Sequence, residues 1–330
     1  MQKSTNFKDF FNNFRDKKTR ELIELIKEKI GPLDYPVIIK GPTGSGKEYF
    51  ARLIHYYSPR NKKPFVKIDC ANLVDELIYS ELLGHGRGAY TDAYEQKAGK
   101  LELVNGGVLF LDLVENLPYA AQSIIAVATE RGKFTRLGET EEIEFKARII
   151  ASTQSDLSLK VKEGSFYPRF YYTIHVISIE IPPLRERKAD ILPLIDYFLH
   201  KTATDLCMPF KKMSEEAIKW CLKYSWPGNI RELKNAIERI YISNPSQTIT
   251  VKDLLFLIEG EEDLLEEASK CQLTLKEMED LYISYILKLT KGNKSKAAKI
   301  LGISRKTLYQ KLKKRISNEN KNYMAGKDKK

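Results

Sequence analysis

The chain has 330 residues, 42% of them hydrophobic and 30% charged, a composition that excludes a disordered tail or a fibre and leaves length for about two domains. It carries 55 Lys and Arg against 44 Asp and Glu, a net charge of +11. No apolar run reaches the roughly 18 residues of a membrane span and the first residues lack the apolar core of a secretion signal, so a cytoplasmic protein with no membrane partner is expected.

Residues 1–18 read as a short leader, and the spacing of apolar residues predicts an amphipathic helix over Thr19–Ile30. Apolar β-rich runs follow at Val37–Ile39, Phe65–Ile68, Val108–Leu111, Ile149–Ala151 and Val176–Ile181, with helix-like segments between them. That alternation predicts a parallel α/β sheet with crossover helices. The first strand runs into Gly41-Pro-Thr-Gly-Ser-Gly-Lys47-Glu48 and then a helix. Strand, glycine-rich loop, lysine and helix are what a phosphate loop needs: Gly41, Thr43, Gly44, Ser45 and Gly46 offer backbone N–H groups, Pro42 belongs to the same loop without a donor of its own, and Lys47 reaches toward the β- and γ-phosphates. Glu48 stands where the general motif has a Ser or Thr ligand for Mg²⁺. Asp112, at the C-terminal end of the buried run Val108–Leu111, is the acid expected to hold Mg²⁺ through water.

After Pro182–Pro183 the pattern turns helical up to about Asn244, and an acidic stretch from Glu259 to Glu267 resembles a linker or exposed helix. The charge is concentrated beyond it. From Leu273 to Lys330 there are 16 basic and 5 acidic residues, so this segment carries the whole net charge of +11 and the preceding 272 residues are balanced. A neutral body with a basic appendage points to a polyanion, most simply nucleic acid. Cys70, Cys207, Cys221 and Cys271 form no CxxC pair, and the four histidines show no metal-ligand spacing.

Together these motifs resemble the AAA+ activators of sigma-54 RNA polymerase, the bacterial enhancer-binding proteins, from about Pro36 to Ile316. Gly41–Glu48 is similar to their Walker A, which also has glutamate after the lysine. Ser80–Ala93 resembles the signature loop ending GAFTGA, here Gly88, Ala89, Tyr90, Thr91, Asp92 and Ala93. Gly132–Gly138 is similar to the following surface loop, Arg148–Gln154 to sensor I, and Pro182–Arg187 and Trp226–Leu233 to the lid motifs, with Arg231 at the sensor II arginine. The resemblance implies an α/β AAA+ P-loop NTPase core over 19–181, a helical lid over 182–245, an acidic linker over 246–272, a Fis-type helix-turn-helix over 273–318 and a basic tail over 319–330. It further implies ATP and Mg²⁺ as cofactors, a homo-oligomeric ring (usually a hexamer in this family) and a loop at Tyr90–Thr91 that touches sigma-54 RNA polymerase holoenzyme. Asp92 puts a carboxylate where that loop usually has glycine.

Gly292–Leu312 resembles the Fis-type helix-turn-helix, and the residues agree with it one by one. Ala297, Ala298 and Leu301 give one helix a slim apolar face, Gly302 makes the turn, Ser304 caps the next helix, and Leu308 and Leu312 face inward. Arg305, Lys306 and Gln310 are left on the outer face to read base edges of double-stranded DNA, while Lys296, Lys299, Lys311 and Lys313 suit phosphates; Ser304 and Thr307 complete the expected DNA-binding set.

Several catalytic positions depart from the family. The Walker B glutamate is Leu113, which can neither accept a proton nor hold a water; the strand-two asparagine is Asp69, and the sensor I residue is Gln154. The arginine-finger positions are Tyr167 and Thr173, both uncharged, with Arg169 nearby; an arginine finger is worth about 10³–10⁵ in rate. Nucleotide binding with impaired or absent hydrolysis is therefore expected. The rivals are a working ATPase that uses substitutes such as Glu115 and Arg169, and a subunit that joins rings of an active relative. About 35 residues precede the phosphate-loop strand, too few for a receiver domain of ~100 residues, so regulation is expected from a partner, from nucleotide occupancy or from protein level.

Overall fold

The computed structural model describes residues 7–73, 78–89, 95–254, 275, 278–279, 282–283, 286–287, 290 and 292–312. They fall into two compact units, one drawn from residues 1–212 and 225–247, the other from 213–224 and 248–330. Five strands, β1 (Val37–Lys40), β2 (Phe65–Asp69), β3 (Val108–Asp112), β4 (Arg148–Thr153) and β5 (Ile177–Glu180), build the main sheet of the first unit. Their order is β2-β3-β4-β1-β5 and every neighbouring pair is parallel. This is the expected α/β sheet. Val108–Leu111 and the whole of β4 are buried because helices cover both faces, which is why these strands read as unbroken apolar runs.

The helices of this unit that matter for the site are α1 (Phe7–Asn12), α2 (Lys17–Leu25), α3 (Lys47–Tyr56), α4 (Tyr119–Arg131), α5 (Pro168–Ile174), α6 (Ile191–Asp205) and, past α7 (Glu215–Lys223) of the second unit, α8 (Asn229–Ser243); shorter ones span Ile78–Leu83, Lys100–Leu103 and Leu157–Lys162. On one face of the sheet Leu109, Leu111, Ile149 and Ala151 meet Ile125 of α4 and Phe170 of α5 in a common core. On the other, α3 lies against β1, β3 and β4 with Phe50, Leu53 and Ile54 buried. Among the described residues no helix is long and apolar enough to cross a membrane.

The first 18 residues hold more structure than a leader implies. Phe10, Phe11 and Phe14 are buried, and Phe10 stacks on Tyr49 of α3 with ring centroids 4.2 Å apart while meeting Tyr197 of α6 edge-on at 5.2 Å. The helix expected from Thr19 starts at Lys17, because the Asp16 carboxylate accepts from the N–H groups of Lys18 and Thr19 at 3.0 and 3.2 Å. It continues as one π-helical stretch over Ile26–Ile30.

In the second unit, α9 (Lys294–Ile300) and α10 (residues 305–312) form the helix-turn-helix. Ala297, Ala298 and Leu308 are buried with Ile283 and Ile286, and Leu301, Ile303 and Leu312 close around them. Asn293 caps α9 by accepting from Lys296 N–H at 3.1 Å, and Ser304 Oγ accepts from Thr307 N–H at 3.0 Å at the start of α10. Gly302 takes the left-handed conformation (φ 63°) that the tight turn between them requires. Cys70, Cys207 and Cys221 are free thiols. Cys271, most of the acidic linker, Lys313 and the basic tail lie outside the described residues.

Candidate functional site

The cleft opens at the C-terminal ends of β1, β3 and β4, where the strand register sets Lys40 beside Thr153 and Asp69 beside Asp112. Gly41 N–H donates to Thr153 C=O at 3.1 Å as the chain leaves β1. Gly44 (φ 71°) and Gly46 (φ 101°) then turn it into α3, and a Cβ on Gly44 would stand 2.2 Å from the Gly228 carbonyl. Only glycine allows that approach. Lys47 is buried and its ammonium donates to the carbonyls of Gly41 and Pro42 at 2.7 and 2.9 Å, curling over its own loop. Burial lowers its pKa, while the charges of Asp112 and Glu115 pull the other way. Glycine turns, a helix N-terminus and a lysine make a cradle that fits phosphate groups.

Three further contacts brace the loop. Asn229, buried at the start of α8, donates to Thr43 C=O at 2.8 Å and accepts from Leu184 N–H at 2.7 Å. The N–H groups of Ile230 and Arg231 both donate to Gly44 C=O, at 2.9 and 3.3 Å, which brings Arg231 into the lining of the cleft. From behind, fully buried Arg187 donates to Ser45 C=O at 2.6 Å, and burial lowers its pKa to about 10. The motifs around Asn229 and Arg187 are visible in the sequence, but their bracing role is not.

Asp112 is engaged on both oxygens. Oδ1 accepts from the Ser152 hydroxyl at 2.6 Å and Oδ2 lies 2.8 Å from the Lys67 ammonium. Lys67, on β2, also reaches Glu48 at 2.8 Å, and Arg52 donates to the other Glu48 oxygen at 2.8 and 3.0 Å. Burial opposes all three charges, yet their mutual hydrogen bonds lower the pKa of Asp112 and Glu48 and raise that of Lys67. As arranged, each of the four carboxylate oxygens already has a protein donor. Among the described residues no group of three or more His, Cys, Asp or Glu comes together to hold a metal.

Leu113 lines the cleft with a left-handed backbone (φ 58°, ψ 55°), its N–H donating to Ser152 Oγ at 3.0 Å. Glu115 turns back toward the strand ends: one oxygen accepts from Gln154 N–H at 2.9 Å, and the other is buried without a hydrogen-bond partner. Gln154 in turn accepts from the Thr43 hydroxyl at 2.5 Å. Asp69 caps the turn after β2, accepting from Ala71 N–H and the Asn72 amide at 3.2 and 2.9 Å. At the two finger positions, Tyr167 N–H donates to Gln122 Oε1 at 2.7 Å and the Thr173 hydroxyl to Arg169 C=O at 2.8 Å. Arg169 is paired with Glu130 of α4, Nε lying 2.7 Å from its carboxylate. Of the expected polymerase-contact loop, Gly88 and Ala89 lie on a turn in which Ala89 N–H donates to Gly86 C=O at 3.3 Å. Tyr90, Thr91, Asp92 and Ala93 lie outside the described residues.

On the helix-turn-helix, Lys296, Lys299, Ser304, Arg305, Lys306 and Gln310 are exposed, and Thr307 is half-buried beside the cap. Lys311 is paired at 2.6 Å with Glu279. Tyr309, which no sequence motif singles out, is 44% exposed on the same face as the basic residues, and the cations of Lys294 and Arg305 stand 4.7 and 5.8 Å from its ring centroid.

A phosphate loop on the penultimate strand of a parallel β2-β3-β4-β1-β5 sheet, clamped by a helix that supplies an arginine, defines an AAA+ P-loop fold. Comparison with known proteins narrows the class. Residues 13–180 match the sigma-54 interaction domain, 185–270 the AAA+ ATPase lid domain, and 274–314 the bacterial regulatory protein, Fis family. The chain therefore belongs to the sigma-54-dependent transcriptional activator family. It is 37% identical over 305 residues to the phenol regulator MopR of Acinetobacter guillouiae, covering 89% of this chain and 54% of MopR. Over 283 residues it is 38% identical to the transcriptional regulatory protein ZraR of Escherichia coli (strain K12), covering 86% of this chain and 64% of that one. The chain thus spans a little over half to just under two thirds of the length of these relatives. Among solved structures, NtrX from Brucella abortus in complex with ADP superposes with a TM-score of 0.67 at 29% identity, over 91% of this chain and 68% of NtrX. The ATP complex of the same protein gives 0.65, covering 89% and 67%.

Proposed function

We propose that this chain is a cytoplasmic transcription regulator that binds ATP or ADP in its AAA+ core and double-stranded DNA through α10, with hydrolysis impaired or absent. The phosphate loop carries the binding half of this reading, with Lys47 curled over it and Arg231 in the same cleft. The ADP and ATP complexes of NtrX support it. The other half rests on what the cleft lacks: a leucine lines it at the Walker B position, the finger positions are tyrosine and threonine, and the nearby Arg169 is already paired with Glu130. Exposed Arg305, Lys306 and Gln310 read bases in this proposal, and Lys296 and Lys299 bind phosphates. The chain assembles with copies of itself or with an active relative, and the loop around Thr91 faces sigma-54 polymerase. The boundaries 19–181, 182–245 and 273–318 delimit the core, the lid and the DNA-binding domain. Magnesium on Asp112, through water, would have to displace Lys67.

One observation favours a working enzyme. Glu115 holds a buried carboxylate oxygen without a partner one hydrogen bond away from Gln154 in the cleft lining, a seat for a displaced water-orienting acid. ATP binding and steady-state hydrolysis on one preparation, over a range of subunit concentrations, separate the two. Binding without turnover above a Lys47→Ala control is expected. Turnover that rises with concentration and disappears in both Lys47→Ala and Glu115→Gln would establish the enzyme instead.

A further inference from the structure

Most P-loop sites neutralise the phosphates and the Walker B acid with a divalent ion. This cleft already contains its own counter-charges. Glu48, at the position of the usual hydroxyl ligand, and Asp112, at the end of β3, together offer four oxygens, and each has a protein donor. Arg52 takes one oxygen of Glu48 and the Ser152 hydroxyl one of Asp112; the remaining two share the Lys67 ammonium, 2.8 Å from each. Lys67 rises from β2 beside the Phe110 ring, 5.9 Å from its centroid, so its stem is directed along the sheet toward the cleft. Two carboxylates therefore meet two cationic side chains. An incoming divalent ion would find neither Glu48 nor Asp112 unpartnered, would have to strip Lys67 from both of them, and would then stand next to an uncompensated ammonium.

We infer that Lys67 serves as a built-in cation in place of the metal, so that this chain binds nucleoside di- and triphosphates without requiring magnesium. The inference rests on the reading of the cleft as a nucleotide site and adds to it what balances the charge there. Lys67 is a positioning residue in this scheme. It holds the two carboxylates and keeps the cleft's potential positive, while Lys47 and the loop N–H groups face the phosphates.

The test is a titration of a fluorescent ADP analogue into the full chain, once in millimolar magnesium and once in excess EDTA. The wild-type dissociation constant should shift by less than about threefold between the two, whereas Lys67→Met should bind at least about tenfold more weakly in EDTA than in magnesium. Lys67→Arg, which keeps the charge, should behave as wild type and guards against a folding defect in the methionine variant. Manganese alone, followed by electron paramagnetic resonance, should bind to Lys67→Met and not to wild type. A tenfold loss of wild-type affinity in EDTA, or a methionine variant as indifferent to magnesium as wild type, overturns the inference while leaving the nucleotide site standing. A folded chain that binds the analogue under neither condition overturns the nucleotide site, and this inference with it.

Discussion

Asn229 shows how much one buried amide can organise. It joins the chain at Leu184, the phosphate loop at Thr43 and the first turn of α8, with both ends of its side chain satisfied and a left-handed backbone (φ 54°) that asparagine tolerates better than most residues. Removing it leaves the buried Leu184 N–H and the part-buried Thr43 C=O without this partner, at about 1–3 kcal/mol, and puts alanine in a conformation it resists. Asn229→Ala should therefore lower unfolding stability by about 3 kcal/mol and weaken nucleotide binding, measured by urea denaturation and by ADP titration. A change below about 0.5 kcal/mol would mean that the loop is braced elsewhere. None of this is legible from residue type alone, because Asn229 and Thr43 are 186 positions apart. The same holds for Lys67: a lysine in a strand reads as a solvent-facing residue until the fold sets Glu48 and Asp112 on either side of it.

At the scale of elements, the signals that sequence carries well are local ones. Buried strands announce themselves by unbroken apolar runs, the phosphate loop by its glycines and lysine, and the helix-turn-helix by Gly302 and the Ser304 cap. The N-terminal helix α1 escapes because six residues give too short a window for periodicity, and its Phe10 and Phe11 are buried against aromatic residues of α3 and α6 that are distant in sequence. Its contribution can be tested directly. Phe10 is 2% exposed and stacked on Tyr49, which lines the nucleotide cleft. Phe10→Ala should cost about 3–5 kcal/mol of stability, seen as a lowered thermal midpoint, and added ADP should raise that midpoint less than in wild type. A midpoint within a degree of wild type would show that α1 contributes nothing to the core.

Over the whole molecule the division of charge is the main feature: a balanced body and a segment from 273 onward that carries the entire excess of +11. Such a segment binds DNA largely by releasing counterions, so its affinity falls with salt. Lys299→Ala should weaken all sequences alike and flatten the slope of log affinity against log salt by about 0.9. Arg305→Ala should cost about 1–3 kcal/mol on the preferred site and relax the choice of base. Competition binding against a randomised duplex pool reads both effects; if the two variants behave alike, α10 does not read bases in the manner proposed. Which duplex is preferred was never legible, since operator sequence depends on how Arg305, Gln310 and Tyr309 meet a groove, and that geometry belongs to the complex.

The clamp between the phosphate loop and α8 also has a mechanical side. Its bonds sit at one end of a helix of 15 residues, a rod about 22 Å long. Hinged at Gly44, a tilt of about 5° would sweep the Ser243 end through about 2 Å. A displacement of a few tenths of an ångström where phosphate is held is thereby geared up several-fold at the far end of the rod. With nucleotide held there, the cleft would be the fulcrum of a lever whether or not any bond in the nucleotide is broken.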